Sequence, residues 1–160
     1  MAQIHRQYAQ DEIKNCSADQ FYGFLKNEMT KLPQILPHIF KSFQILAGDG
    51  KSVGTVRLSK TTMGSSHEET VKDKIEAIDD ESRTLTVSVI DGALLRMYTK
   101  FEYTVTVTPL VTQGAEQSCL VKMFVEYEKK NKDVPDHPKE YMEMATSINK
   151  AIASHLTNKA

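Results

Sequence analysis

Five side chains of this 160-residue chain could supply acid–base chemistry: His38, His67, Glu69, Lys122 and His155. General acid–base catalysis needs a histidine or lysine near a carboxylate, with a pKa shifted by burial. None of the five has the spacing of such a pair. His67 lies in a charged stretch and Lys122 on the polar side of a strand, so we expect solvent around both. His155 lies on an apolar helix face, where core histidines are commoner than catalytic ones. The sequence therefore assigns no catalytic residue.

A second candidate for chemistry is the loop 48–54, which holds Gly48, Asp49, Gly50, Lys51, Ser52 and Gly54. Glycine is needed where the backbone takes a positive φ or where another group approaches closely. A phosphate-binding loop would follow a strand and open a helix with Gly-Lys-Ser/Thr. This loop instead joins two strand-like runs, 43–47 and 55–60. The setting favours a tight turn packed against a neighbouring element, with Lys51 and Ser52 as the loop side chains that could meet an anion.

Composition limits the classes of function. The length favours one domain, residues 1–160, and the net charge of −1 gives no basic field for nucleic acid, which is not expected as the main partner. No apolar run approaches the roughly 20 residues of a membrane span, and the N-terminus lacks the apolar core of a secretory signal. Cys16 and Cys119 show neither metal-ligand spacing nor a disulfide framework, although a disulfide between them stays open. We expect a cytoplasmic protein without metal or cofactor.

The middle of the chain alternates between apolar and polar residues with a period of two. The apolar positions form three runs: Leu85, Val87 and Val89; Phe101, Tyr103, Val105 and Val107; and Cys119, Val121, Met123, Val125 and Tyr127. Such runs are typical of antiparallel strands with one buried and one solvated face. Turn residues at 79–82, 91–92 and 109–117 separate the runs and predict a meander. Leu120 and Phe124 break the pattern on the polar side.

Two short helices are predicted in the first quarter of the chain. Ser17 followed by Gln20 fits a capping box at the start of the first helix. A second helix is predicted around residues 32–40, where Pro33 could open it and Pro37 would keep it short.

The last helix is the clearest element. Pro138 fits its first turn, and about 20 residues of helix would span roughly 30 Å, enough to cross a sheet. Its apolar stripe recurs at spacings of three and four: Tyr141, Met144, Ala145, Ile148, Ala151, Ile152 and His155. The order of elements predicts an α+β fold in which this single helix covers one face of the sheet. A curved seven-stranded antiparallel sheet wrapped around one helix can leave space between the two. Space between them would suit adaptable methionine liners, and a dry, filled core is the alternative.

Three features point to a family when they are taken together. They are the order of elements, the loop GDGKSVGTV with Gly48, Gly50 and Gly54, and the segment YEKKNKDVP that begins at Tyr127. The whole chain thereby resembles the plant major latex proteins of the Bet v I and class-ten pathogenesis-related superfamily, which has the START-like helix-grip fold. Latex proteins usually carry a tryptophan in the strand before Tyr-Glu-Lys. This chain has no tryptophan, and Met123 stands at that position.

The resemblance implies a seven-stranded antiparallel sheet that grips the long helix, with two short helices beneath it and a large internal cavity between them. Family members bind hydrophobic ligands such as sterols, flavonoids, hormones and lipids, and their usual setting is plant defence. A hydrophobic small molecule is thus the expected partner of a monomer or weak dimer. The candidate lining residues, each of which could instead be an ordinary core residue, are Phe24, Met97, Phe101, Tyr103, Met123, Tyr141, Met144, Ala145, Ile148 and Ile152.

Two other classes of function remain as alternatives. Some relatives are enzymes of alkaloid metabolism, isomerases or condensing enzymes, and this class would need a buried acid–base pair. Ribonuclease activity, proposed for class-ten relatives, would use Lys51 with acidic residues. The near-neutral charge argues against it, and Glu102 and Glu126 have the positions of solvated strand residues.

Overall fold

The structure, a computed structural model, describes residues 3–62, 68–110, 117–134 and 139–157. Within these ranges the chain forms seven strands and three α-helices. In chain order they are β1 Ile4–Lys14, α1 Ala18–Asn27, α2 Leu32–Ile35, β2 Phe40–Ala47, β3 Val56–Thr61, β4 Glu69–Asp79, β5 Thr84–Gly92, β6 Tyr98–Leu110, β7 Ser118–Lys129 and α3 Lys139–Thr157. Short 3-10 turns at Met29–Lys31 and Ala93–Arg96 precede α2 and β6.

All seven strands belong to one antiparallel sheet with the order β1-β7-β6-β5-β4-β3-β2. Strands β2 to β7 form the predicted meander, and β1 pairs with β7. The register places Val105 opposite Met123 and Val107 opposite Val121, so the two alternating runs share the inner face. The α+β prediction is confirmed. Phe124, which breaks the pattern, lies on the outer face, where its ring stacks on Tyr8 at a centroid distance of 4.8 Å.

The first helix begins at the predicted capping box. The Ser17 hydroxyl accepts the Gln20 backbone N–H at 3.0 Å, and the Gln20 side chain accepts the Ser17 backbone N–H at 3.1 Å. The second helix is shorter than predicted, because α2 ends at Ile35 and the chain enters β2 at Phe40. Leu36 is no longer helical, because its φ is −142°, as expected of a residue before a proline.

Three glycines of the loop between β2 and β3 have positive φ: 87° at Gly48, 90° at Gly50 and 94° at Gly54. A Cβ on Gly48 would lie 2.9 Å from the Thr55 backbone, too close for any other residue type. The Gly54 N–H donates to the Ile75 carbonyl of β4 at 2.8 Å. The loop is therefore a tight turn held against the neighbouring strand, as its strand–loop–strand setting predicted.

Helix α3 has 19 residues, and its backbone comes nearest to β1, α1 and α2. Asn149 lies off the apolar stripe, yet it is buried against β1. Its amide Nδ2 is satisfied there, because it donates to Asp11 Oδ2 at 3.0 Å. The helix thus has two contact faces, one on the edge strand and one turned toward the middle of the sheet. Pro138 lies outside the described residues. No helix in the described ranges is long and apolar enough to cross a membrane.

Candidate functional site

Several inward side chains between the sheet and α3 are only half-buried. Tyr103 and Val105 of β6 and Met144, Ala145 and Ile148 of α3 pack against the buried core clusters, yet each keeps accessible surface. These are inward positions by strand parity and by helix spacing. We infer that a hollow lies between these side chains, because a close-packed core would cover them.

One end of this hollow is aromatic. Four rings, here named the aromatic cluster, meet between β6, β7 and α3: Tyr98, Phe101, Tyr127 and Tyr141. The Phe101 and Tyr141 centroids lie 4.7 Å apart, with an edge-to-face angle of 72°. Burial raises the pKa of Tyr141 well above its usual value, so its phenol stays neutral. The Tyr127 hydroxyl is buried and has no hydrogen-bond partner among the described residues.

The other end is polar. Arg57 of β3 donates from Nε to Asp73 Oδ1 of β4 at 2.7 Å and from Nη2 to Asp73 Oδ2 at 3.3 Å. Nη2 also donates to the Tyr103 hydroxyl at 3.1 Å. The guanidinium stands 5.3 Å from the Phe43 ring centroid. We name Arg57, Asp73 and Tyr103 the polar cluster. The side chains of the ion pair are only 3% and 9% exposed.

Burial sets the protonation of the polar cluster. It raises the pKa of Asp73, and the charge and hydrogen bonds of Arg57 offset part of that rise. Burial alone would lower the pKa of Arg57. The charges and hydrogen bonds of Tyr103 and Asp73 outweigh this effect, so the pKa of Arg57 is raised. Burial also raises the pKa of Tyr103 to about 12, so its phenol keeps its proton at neutral pH. Arg57 thus offsets part of the cost of burying the Asp73 carboxylate.

A pocket of about 380 Å³ opens toward the polar cluster, between the end of α1, β2 and the glycine loop. We name it the mouth pocket. Its lining residues are Asn27, Met29, Thr30, Phe43, Ile45, Asp49, Gly50, Lys51 and Arg57. Asp49 turns its carboxylate into its own loop, because Oδ1 accepts the backbone N–H groups of Lys51 and Ser52 and Oδ2 accepts the Ser52 hydroxyl. The loop donors that would hold a phosphate are therefore already occupied.

Most of the candidate lining residues lie inside the molecule. Phe24, Phe101 and Ile152 are almost fully buried, and Met123 and Tyr141 are 7% and 8% exposed. Tyr103, Met144, Ala145 and Ile148 are half-buried. Met97 differs from the rest: it follows the 3-10 turn before β6 and is 42% exposed, so we leave it out of the site.

The candidate acid–base residues are dispersed. His38 is exposed in the turn before β2, Glu69 is half-buried at the start of β4, and Lys122 is exposed on β7. His155 packs edge-on against Phe24 at 5.7 Å. Its buried Nε2 has no partner in the described part of the chain. His67 lies outside the described residues.

The two cysteines lie together in the core, and both are free and buried. The Cys16 thiol and burial together raise the pKa of Cys119 well above its usual value. In the described ranges, no three histidine, cysteine or acidic side chains are placed to hold a metal ion.

Sequence reasoning missed Arg57 and Asp73. In β3 the apolar Val56 and Leu58 alternate with Arg57 and Ser59, a pattern that favours the apolar pair as the buried face. The structure has the opposite arrangement: Arg57 and Ser59 are buried, and Val56 and Leu58 are half-buried. The available signal was an arginine on the strand-like run 55–60 and an aspartate in the stretch that follows it, whose opposite charges could pair if that stretch formed the neighbouring strand.

The fold defines a class: one antiparallel sheet of seven strands packed by a long C-terminal helix. The chain matches the model of the Pathogenesis-related protein Bet v 1 family over residues 4–159, and it belongs to this family. Major latex protein 146 of Papaver somniferum is 32% identical over 146 residues, covering 89% of this chain and 85% of that protein.

Two solved structures extend the comparison. The crystal structure of major latex-like protein 151 from Panax ginseng has a TM-score of 0.83 at 24% identity and covers 95% of this chain and 97% of its own. Truncated norcoclaurine synthase from Thalictrum flavum has a TM-score of 0.78 at 25% identity. The match covers 99% of this chain and 97% of the synthase chain. The same fold thus occurs in a latex-like protein and in an enzyme.

Proposed function

We propose that this protein binds a hydrophobic small molecule in the hollow between the sheet and α3. The observation that carries the proposal is the set of inward apolar side chains on β6 and α3 that pack against the core and still keep accessible surface. A ligand would cover that surface. Burial of apolar area contributes roughly 25 cal/mol per Å² before the costs of ordering the ligand.

Membership of the Bet v 1 family supports the same proposal. The expected ligands are sterols, flavonoids, hormones or lipids, and the expected role is in defence or stress response. The cytoplasm is the proposed compartment, and the proposed state is a monomer or weak dimer. The aliphatic and aromatic walls of the hollow would select the body of the ligand by its size and shape.

The proposal can be tested with a substitution that fills the hollow with a larger side chain. Ala145→Phe adds a ring on the inward face of α3, whereas Ser154→Phe adds the same ring at an exposed position of the same helix. We expect Ala145→Phe to reduce binding of an apolar fluorescent probe at least tenfold, and Ser154→Phe to bind like the unsubstituted protein. Equal binding by the two variants would place the ligand elsewhere. Native mass spectrometry of protein from its own tissue would then identify the ligand.

A second candidate is a cavity enzyme of the condensing type. It is favoured by the likeness to norcoclaurine synthase and by the buried ionisable groups of the polar cluster. A norcoclaurine synthase structure contains dopamine and hydroxybenzaldehyde, which suggests an amine and an aldehyde as trial substrates. Product formation that disappears in Tyr103→Phe would establish this activity. Unchanged substrates after prolonged incubation would leave binding as the function.

A further inference from the structure

The guanidinium of Arg57 is only partly used. Of its five N–H groups, three are engaged: Nε and one hydrogen of Nη2 with Asp73, and the other hydrogen of Nη2 with Tyr103. In the described part of the chain Nη1 donates no hydrogen bond. Arg57 lines the mouth pocket although its side chain is only 3% exposed. A nearly buried cation therefore retains two N–H donors beside a cavity.

The hydroxyl of Tyr103 supplies a further free donor beside Arg57. Its oxygen accepts from Arg57 Nη2, and the phenol proton has no acceptor in the described residues. The ring of Tyr103 also lies 6.1 Å from that of Tyr141, centroid to centroid, at the edge of the aromatic cluster. Tyr103 therefore joins the polar cluster to the hollow. Because the two groups are already hydrogen-bonded to each other, a single acceptor beside them could take one hydrogen bond from each.

The inner face of β3 continues this polar surface. Buried polar residues occur at every second position from the end of the glycine loop: Thr55, Arg57, Ser59 and Thr61. The hydroxyls of Thr55 and Thr61 are buried and have no partner among the described residues. Buried polar groups without a partner are rare in native proteins, and an ordered water or ion is one explanation. The inner face of β3 is thus polar along its length.

The charged side chains at the mouth pocket indicate whether a bound group would be positive or negative. Lys51 and Arg57 are its two lining cations, and Asp49 is its lining carboxylate. Asp49 is occupied by its own loop, and both oxygens of Asp73 accept from Arg57. Lys51 Nζ makes no hydrogen bond or ion pair among the described residues. The unengaged charged groups are thus all donors, which complement an oxyanion.

We propose that the ligand is an amphipathic carboxylic acid whose carboxylate accepts hydrogen bonds from Arg57 Nη1 and the Tyr103 hydroxyl. The acid enters between the end of α1 and the glycine loop, and its apolar body occupies the hollow. Lys51 at the rim attracts the anion during entry. The inference rests on the proposed function, because it specifies the headgroup of a molecule that the hollow must first accept.

The experiment compares one apolar body with two headgroups. cis-Parinaric acid and its methyl ester are both fluorescent, so each can be titrated directly into the protein. Arg57→Met alone would leave Asp73 unpaired and could unfold the chain. The informative variant is therefore Arg57→Met/Asp73→Leu, which replaces the ion pair by apolar groups. Arg96→Met removes one positive charge from a side chain that is 77% exposed, and it is the matched control.

We expect the unsubstituted protein and Arg96→Met to bind the acid about tenfold more tightly than the ester, as a charge-assisted hydrogen bond would produce. In the double variant that preference should fall to about one, while ester affinity stays within about threefold. Tyr103→Phe should lower the preference without abolishing it. Equal binding of acid and ester by the unsubstituted protein would overturn the headgroup inference and leave the proposed function intact. Binding of neither molecule would overturn both.

Discussion

The two halves of one sheet present opposite chemistry to the interior. On β3 and β4 the buried inward residues include Arg57, Ser59 and Asp73, whereas β6 and β7 bury Phe101, Val125 and other apolar side chains. Both halves face the same hollow, and Tyr103 lies where they meet. A uniformly apolar wall would give a ligand no preferred direction. The asymmetry gives the hollow a polar end and an aromatic end.

The halves also differ in what holds them together. On the polar half, an ion pair compensates for charges that have lost water, so each partner depends on the other. On the aromatic half, stability comes from area and ring contacts, and each residue contributes mainly through its own burial. The two halves should therefore respond differently to substitution and to pH.

The largest expected effect is the loss of one partner on the polar half. Arg57→Met leaves the Asp73 carboxylate buried without its cation and should lower the free energy of unfolding by about 3–5 kcal/mol in urea titrations. Arg57→Met/Asp73→Leu should recover most of that loss. If the double variant is as unstable as the single one, the cost lies in packing, and the contrast between the halves fails.

A smaller effect is expected from truncation on the apolar half. Met123→Ala removes a side chain that is 7% exposed and should cost about 2–3 kcal/mol, at the low end for a core methionine because the site borders space already present. Urea unfolding measures it. The loss should be the same at pH 5 and pH 8, since no charged group is uncovered. A clear pH dependence would mean that Met123 shields a titrating residue.

The pH dependence of Arg57→Met should distinguish the halves further. Burial raises the folded-state pKa of Asp73 above its unfolded value, and removal of Arg57 takes away the charge that offsets this rise. The folded state then binds the proton more tightly than the unfolded chain does. Stability should therefore be highest below about pH 4 and fall toward pH 7, by about 1.4 kcal/mol for each unit of added pKa difference. Thermal melts of single and double variants across this range would show it, and parallel curves would contradict it.

The smallest effect belongs to the residue where the halves meet. Tyr103→Phe removes one hydroxyl, which accepts a hydrogen bond from Arg57, and should cost about 1 kcal/mol of unfolding free energy. The ion pair itself should persist. A loss above about 3 kcal/mol would mean that Tyr103 is required for the Arg57–Asp73 pairing. Phe101→Tyr is a useful counterpart, because it adds a hydroxyl on the aromatic half.

Local features of the sequence were sufficient for much of the fold. The capping box at Ser17, the glycines with positive φ and the stripe of α3 each depend on neighbours within a few residues. The period-two runs of β5, β6 and β7 fixed which side chains face inward, because alternation in a strand is set by its own backbone. The order of these elements predicted an α+β fold. Together with the glycine loop and the segment that begins at Tyr127, it indicated the helix-grip fold and its family.

Those local patterns did not predict the polar end of the site. Val56 and Leu58 are the apolar residues of β3, and local burial preference would turn them inward in place of Arg57. Arg57 is tolerated inside because Asp73 stands opposite it on β4 and Tyr103 reaches it from β6. The sequence by itself determined α1, α3, most of the strands and the apolar wall, since these follow from short-range spacing. The tertiary structure alone decided which face of β3 is buried, because compensation of a buried charge depends on partners that are distant in the chain.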